Sequence, residues 1–174
     1  ATELLAEDLH GPAELRLLKI VRDNVARVNR MVEDILQLSR KVQPNGDPLR
    51  LDTFLAELKA EFQETHSLAD DMIWIGHTGS APVRFDALHL REVVVNLLTN
   101  AIRYASGRPG SMRLWVVESG AQMELHVQDD GPAITPEVRA HLFEPFYTTS
   151  SKGTGLGLYL ARELCLNKEA KLDY

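Results

Sequence analysis

The chain has 174 residues, 44% hydrophobic and 25% charged, a composition that suits a globular chain with one full core and an appendage. Its net charge of −6 argues against a nucleic-acid binder, whose phosphate contacts need concentrated Lys and Arg. A single cysteine, Cys165, excludes an intrachain disulfide and suits a reducing, cytoplasmic compartment; no apolar run reaches the roughly 18 residues of a membrane span.

The chain opens on Ala1 without a signal-peptide pattern and stops just after an apolar pair, so both ends read as cuts in a longer protein. Direct membrane insertion of this piece is not expected, although an inner-membrane anchor upstream is compatible with it. After a short acidic lead, Gly11-Pro12 opens a helical pattern running from about residue 13 to 41. In it Leu18, Val21, Val25, Val28, Val32 and Ile35 recur in steps of three and four, an a/d seam that suits a coiled coil or dimeric bundle. Packing on its own domain is the alternative for that stripe.

KVQPNGDP at 41–48 holds two prolines and an Asn-Gly pair and breaks the helix, which places a linker at 43–48. Leu49 to Leu51 reads as a short strand. Asp52 then reads as the cap of a helix carrying Phe54, Leu55, Leu58 and Phe62 on one side. Met72 to His77 and Val83 to Phe85 read as strands, and Asp86 as the cap of the next helix.

That helix, Leu90 to Ser106, has two unlike faces. Leu90, Val94, Leu97, Leu98, Ala101 and Ala105 gather on one side, while Glu92, Asn96, Asn100 and Arg103 form an opposed stripe. Asparagine is a poor choice for a helix interior because its side chain competes for backbone hydrogen bonds. A solvated polar face is the plain reading of such a stripe; a ligand-facing one is the other.

Met112 to Val117 and Met123 to Gln128 alternate apolar and polar residues around Ser119-Gly120, a β-hairpin. Trp74 and Trp115 are expected between sheet and helices. A short helix after Pro136, a last helix over Leu156 to Leu166 and the start of a strand at Lys171 to Tyr174 complete the order. Strands and helices mixed in this way point to an α+β sandwich with helices on one sheet face.

Downstream of the asparagines lie DDGPAI at 129–134 and LFEPFYTTSSKGTGLGL at 142–158. Gly153, Gly155 and Gly157 do not form a Rossmann fingerprint, since no strand leads into them, and the Walker GxxxxGK[ST] is absent. Taken together, in this order and spacing, the segments resemble the N, G1, F and G2 boxes of the ATP-binding domain of bacterial sensor histidine kinases. The match covers about residues 86–166. The wording of RVNRMVEDILQLSR is most similar to the type IV pilus regulatory subgroup, in which it corresponds to the second helix of the dimerisation bundle.

The resemblance implies a Bergerat-type ATP-binding α/β sandwich, mixed but mainly antiparallel, at 49–174, preceded by a partial dimerisation bundle at 1–42 that holds the long coiled-coil-like helix. Its cofactors would be ATP and Mg²⁺. Asn100 would coordinate Mg²⁺, with Asn96 and Arg103 beside the phosphates and Tyr104 against the nucleotide. Mg²⁺ keeps several waters and suits one amide oxygen plus phosphates. Asp129 would accept from the adenine amino group, with Gly131 allowing close backbone approach. The family's DxGxG has glycine where this chain has Ala133, a change that a negative φ would tolerate. Phe143 and Phe146 match the F box, and Tyr147 to Lys152 the ATP lid, with Lys152 reaching the γ-phosphate. Gly153, Thr154, Gly155, Leu156 and Gly157 would follow the phosphate chain, the glycines lending amides.

Related gyrase-type ATPases carry a water-activating glutamate where this chain has Asn96, so the resemblance implies transfer rather than hydrolysis. The phosphoacceptor box, HExxxP-like, is absent. His10 precedes Gly-Pro-Ala, and His66, His77, His89, His126 and His141 fall in or beside the ATP-binding part, so the acceptor helix is expected upstream of Ala1. Two readings remain: the catalytic core of a histidine kinase that relays phosphoryl to a response regulator and dimerises through its first helix, or a dimeric nucleotide-sensing module without kinase activity.

Overall fold

The computed structural model describes residues 11–39, 47–150, 153–167 and 169–174. The expectations for the acidic lead with His10, for most of the 43–48 linker and for Lys152 lie outside the described residues.

Helix α1 spans Pro12–Ser39, and its last turn carries no basic residue. Of the seam, Leu18 is half-buried, and Val21, Val25, Val28, Val32 and Ile35 are all exposed along one apolar stripe. Helix α2, Leu51–His66, starts earlier than the sequence suggests. Leu49 therefore forms no strand but one isolated antiparallel bridge to Val83, and Val83 to Phe85 likewise stops at that bridge. Arg50 rather than Asp52 occupies the N-cap, with no side-chain cap bond. Asp52 sits inside the first turn, where a carboxylate complements the helix dipole, and pairs with Arg50 at 2.6 Å.

The sheet has three strands in the order β1 (Ile73–Ile75), β2 (Met112–Ser119), β3 (Gln122–Asp129). β1 runs parallel to β2, and β2 pairs antiparallel with β3 through the expected hairpin, with Gly120 at φ 60° in its turn. Strand parity decides the two faces. Ile73, Met112, Leu114 and Val116 are buried on the inner face. Trp74 and Trp115 have the opposite parity, which overturns their expected place between sheet and helices. Trp74 is 53% exposed, and Trp115 stacks on its register partner His126 at 4.9 Å and 4°.

Helix α3 (Ala87–Ala101) follows β1; a short α4 (Pro136–His141) and α5 (Gly157–Leu166) follow β3. The main core joins Leu51, Leu55, Leu58 and Phe62 of α2 to the inner sheet face and to Leu90, Val94, Leu98 and Ala101 of α3. A second core joins Val93 of α3 to Leu160, Ala161, Leu164 and Cys165 of α5. Burial pushes the Cys165 thiol pKa up, which keeps it a packing group. α1 touches α5. Lys171 to Tyr174 carry no strand, correcting that expectation. Among the described residues no helix is long and apolar enough to cross a membrane. The whole is an α+β arrangement with helices over one face of a mixed sheet, as the sequence suggests.

Candidate functional site

α3 is the wedge on which the site is built. Asp86 caps it, accepting from the His89 amide at 2.9 Å. With Leu90, Val94, Leu98 and Ala101 on the sheet and Val93 on α5, the helix presents Asn96 and Asn100, both half-buried, beside Val93 on its α5-facing side. Neither belongs to either hydrophobic core. The Asn96 Nδ2 donates to the Glu92 carbonyl at 2.9 Å, and its Oδ1 lies toward α5: a Cβ on Gly157 would come within 2.9 Å of it.

The helix ends at Ala101, not Ser106, with Ile102 as C-cap. Two tight turns follow, in which the Arg103 amide donates to the Asn100 carbonyl and the Tyr104 amide to the Ala101 carbonyl. Arg103 and Tyr104 thus leave the helical stripe and are exposed beside it.

Asp129 ends β3 opposite Met112, so its parity turns it to the helix side of the sheet. Its half-buried carboxylate accepts the Gly131 amide on Oδ1 at 2.8 Å. Gly131 is required by close approach, because a Cβ there would lie 2.7 Å from the Tyr104 carbonyl oxygen. Ala133 is exposed and outside the left-handed region, which among non-glycine described residues holds only Ser67, Phe146 and Glu169. The methyl in place of the family's glycine is tolerated by the backbone there.

Asp130 faces the other way. Its Oδ1 accepts the Ser106 amide at 2.7 Å, its Oδ2 accepts the Ser106 hydroxyl at 2.6 Å, and Arg108 stands 3.5 Å away. The Ser106 bonds, the hydroxyl first, hold the Asp130 carboxyl below the usual carboxylate range.

Thr135 caps α4 through the Val138 amide. Phe143 lies half-buried under the Arg162 guanidinium of α5, 5.1 Å from its ring centre. Phe146 is exposed and left-handed at φ 65°, and its amide donates to the Gly155 carbonyl at 2.9 Å. Within the loop that follows, Thr149 Oγ1 meets the Tyr104 hydroxyl at 3.1 Å. A Cβ on Gly153 would meet Thr148 Oγ1 at 2.5 Å and the Arg103 guanidinium at 3.0 Å. The Leu156 amide donates to Thr154 Oγ1 at 3.3 Å, and Leu156, buried, leads into α5.

Two segments far apart in the chain thus meet at α3 and the turns that follow it: the glycine loop at Asn96 and Arg103, and the 129–131 turn at Tyr104. Backbone amides and glycines beside two half-buried carboxamides and an arginine can take a polyanion, with a carboxylate set apart at 129 for an N–H donor. Among the described residues no group of three or more His, Cys, Asp and Glu could hold a metal by itself. Sequence reading placed Thr148 and Thr149 in the lid without partners and did not single out Ser106 or Asp130, for which the doubled aspartate was the available signal.

The architecture and this convergence define a class, the nucleotide-binding domains of the histidine kinase kind. Residues 85–174 match the family of Histidine kinase-, DNA gyrase B-, and HSP90-like ATPases, and the chain belongs to that family. It is 37% identical over 181 residues to the sensor protein kinase PilS of Pseudomonas aeruginosa, covering 100% of this chain and 34% of that protein. The chain therefore spans about a third of that relative's length. The histidine kinase AdeS of Acinetobacter baumannii has a similar fold, with a TM-score of 0.66 at 23% identity over 93% of this chain and 78% of the other. The nucleotide-free catalytic domain of histidine kinase ThkA aligns with a TM-score of 0.60 at 25% identity, over 72% and 82%. Over its whole length the chain is thus similar to a sensor histidine kinase, and over residues 85–174 it carries the domain of that ATPase family.

Proposed function

We propose that this chain is the ATP-binding catalytic core of a two-component sensor histidine kinase, holding Mg-ATP for transfer of its γ-phosphoryl to a histidine on a separate helix and onward to a response regulator. The observation that supports the reading is the close approach of Gly157 to Asn96, Gly153 to Arg103 and Gly131 to Tyr104, which brings the glycine loop and the 129–131 turn to the C-terminal part of α3 and the turns after it.

In this reading Asp129 accepts from the adenine amino group, and Gly131 and Tyr104 bound the base. Asn96 and Arg103 hold phosphate oxygens, and the amides of Gly153 to Gly157 follow the phosphate chain. Phe143 and Phe146 anchor the lid, and Lys152 supplies a positive point charge to the γ-phosphate. The donor set fits Mg²⁺, since the Asn100 amide oxygen leaves room for phosphate and water ligands, and the ion would offset phosphate charge during transfer. Asn96 cannot act as a base, so bound ATP has no efficient route to water. The exposed stripe from Val21 to Ile35, with Leu18, is the proposed dimer seam, completed when an acceptor helix joins α1. In the proposed division, 1–42 belong to the bundle, 43–48 to the linker and 49–174 to the catalytic domain.

The test is incubation with γ-labelled ATP, alone and with a partner carrying a histidine-bearing acceptor helix, followed by acid treatment. Label that appears only with the partner and is lost in acid is the expected result. ATP binding without transfer to any acceptor would favour the dimeric nucleotide-sensing module instead.

A further inference from the structure

Asp130 lies beside the proposed base-reading residue but points away from it, and the reading of Asp129 explains none of its contacts. Its carboxylate takes both the amide and the hydroxyl of Ser106, at 2.7 and 2.6 Å, and its own amide donates to the Ser111 carbonyl at 3.0 Å. Ser106 in turn comes two residues after Tyr104, on the segment leaving α3, and Arg108 flanks the pair at 3.5 Å. These are charge-assisted bonds across 24 residues of sequence, joining the 129–131 turn to the segment that leaves α3. The join has little slack, because Gly131 already approaches the Tyr104 carbonyl too closely for any side chain.

We propose that Asp130 is a positioning residue for nucleotide recognition: through Ser106 it clamps the 129–131 turn to the end of α3 and so sets where the Asp129 carboxylate stands relative to Asn100 and Tyr104. The proposal rests on the nucleotide reading of Asp129 and Asn100. If the clamp slackens, Asp129 loses its aim, whereas Asn100, the penultimate residue of α3, is still held by the helix itself. Loss of the clamp should therefore fall on the base end of the ligand. Affinity for ATP drops while the dependence of that binding on Mg²⁺ persists.

The test is calorimetric titration of the chain with a non-hydrolysable ATP analogue and with its GTP counterpart, with and without Mg²⁺, beside thermal melting. Asp130→Ala, which removes both Ser106 bonds, should weaken the ATP analogue about tenfold and lower the ATP-over-GTP preference. Asp130→Asn, whose amide oxygen still accepts the Ser106 amide, should recover most of both. Ser106→Ala keeps the carboxylate and the backbone bond, and provides an intermediate loss should Asp130→Ala fold poorly. A lowered melting temperature with ATP affinity and base preference unchanged would overturn the proposal and leave Asp130 a fold-stabilising residue only. Failure of the unsubstituted chain to bind the ATP analogue would overturn the nucleotide reading itself, an outcome separable from the first.

Discussion

Phe146 and Gly155 close the neck of an eight-residue loop: the Phe146 amide donates to the Gly155 carbonyl at 2.9 Å, and both residues are left-handed, at φ 65° and 73°. A Cβ on Gly155 would stand 2.4 Å from the Phe146 carbonyl carbon, so glycine is required at this neck for both conformation and space. Gly155→Ala should destabilise by at least about 1 kcal/mol from the left-handed backbone alone, or about 2–4 °C in Tm. It should also weaken ATP-analogue binding by more than the melting shift accounts for, because the loop ends are displaced. Thermal melting and calorimetry read the two effects separately; a variant with native affinity would show that the neck does not shape the site.

Asn100→Ala should abolish the Mg-dependent part of ATP-analogue binding while shifting stability by no more than about 0.5 kcal/mol. The residue is half-buried and belongs to neither hydrophobic core, and alanine has the higher helix propensity. Titration with and without Mg²⁺ checks it. Unchanged affinity would remove Asn100 from the metal position.

Asp129→Asn should lower the preference for ATP over GTP about tenfold, because a carboxamide can rotate to offer a donor where the carboxylate only accepts. Competition between the two nucleotides measures it. Retained discrimination would mean that the base is read elsewhere.

Asp52 provides a pH test remote from the site. The Arg50 side chain, then the Thr53 amide, lower its pKa from 3.8 to about 2. A carboxylate depressed on folding contributes stability that is complete above its ordinary pKa and is lost as pH falls from 3.8 toward about 2. Melting curves across that window should be shallower in pH for Asp52→Asn than for the unsubstituted chain. The difference should shrink in salt, since the pair is exposed. Identical pH slopes would remove the pair from the acid response.

What the sequence disclosed follows from the range of each signal. The seam of α1 and the alternation of the hairpin are local periods, and both elements stand where expected. The glycine loop and the 129–131 turn were legible as motifs with fixed spacing, although only folding brings them to Asn96 and Tyr104. Trp74 was misplaced because ring size was weighed above parity: between Ile73 and Ile75 it must take the other face. The end of α3 was overrun because Ile102 and Arg103 are compatible with a helix; the chain instead turns after Ala101, which leaves the Tyr104 carbonyl beside Gly131. Leu49 and Val83 are β-compatible but find only each other, so they remain a bridge. The Asp130 clamp joins residues 24 apart and has no local pattern.

The position of the two tryptophans has a practical consequence for every titration above. Asp129 and the α3 carboxamides lie on the helix side of the sheet, and both indoles lie on the other, Trp115 under the His126 ring. Intrinsic emission from this chain will therefore report the outer sheet surface and the imidazole stacked there, and it will be nearly silent to ligand at the α3 edge. Heat, or a fluorophore carried on the nucleotide, is the signal to follow, and a change in tryptophan emission on adding ATP would betray a strain passed through the sheet itself.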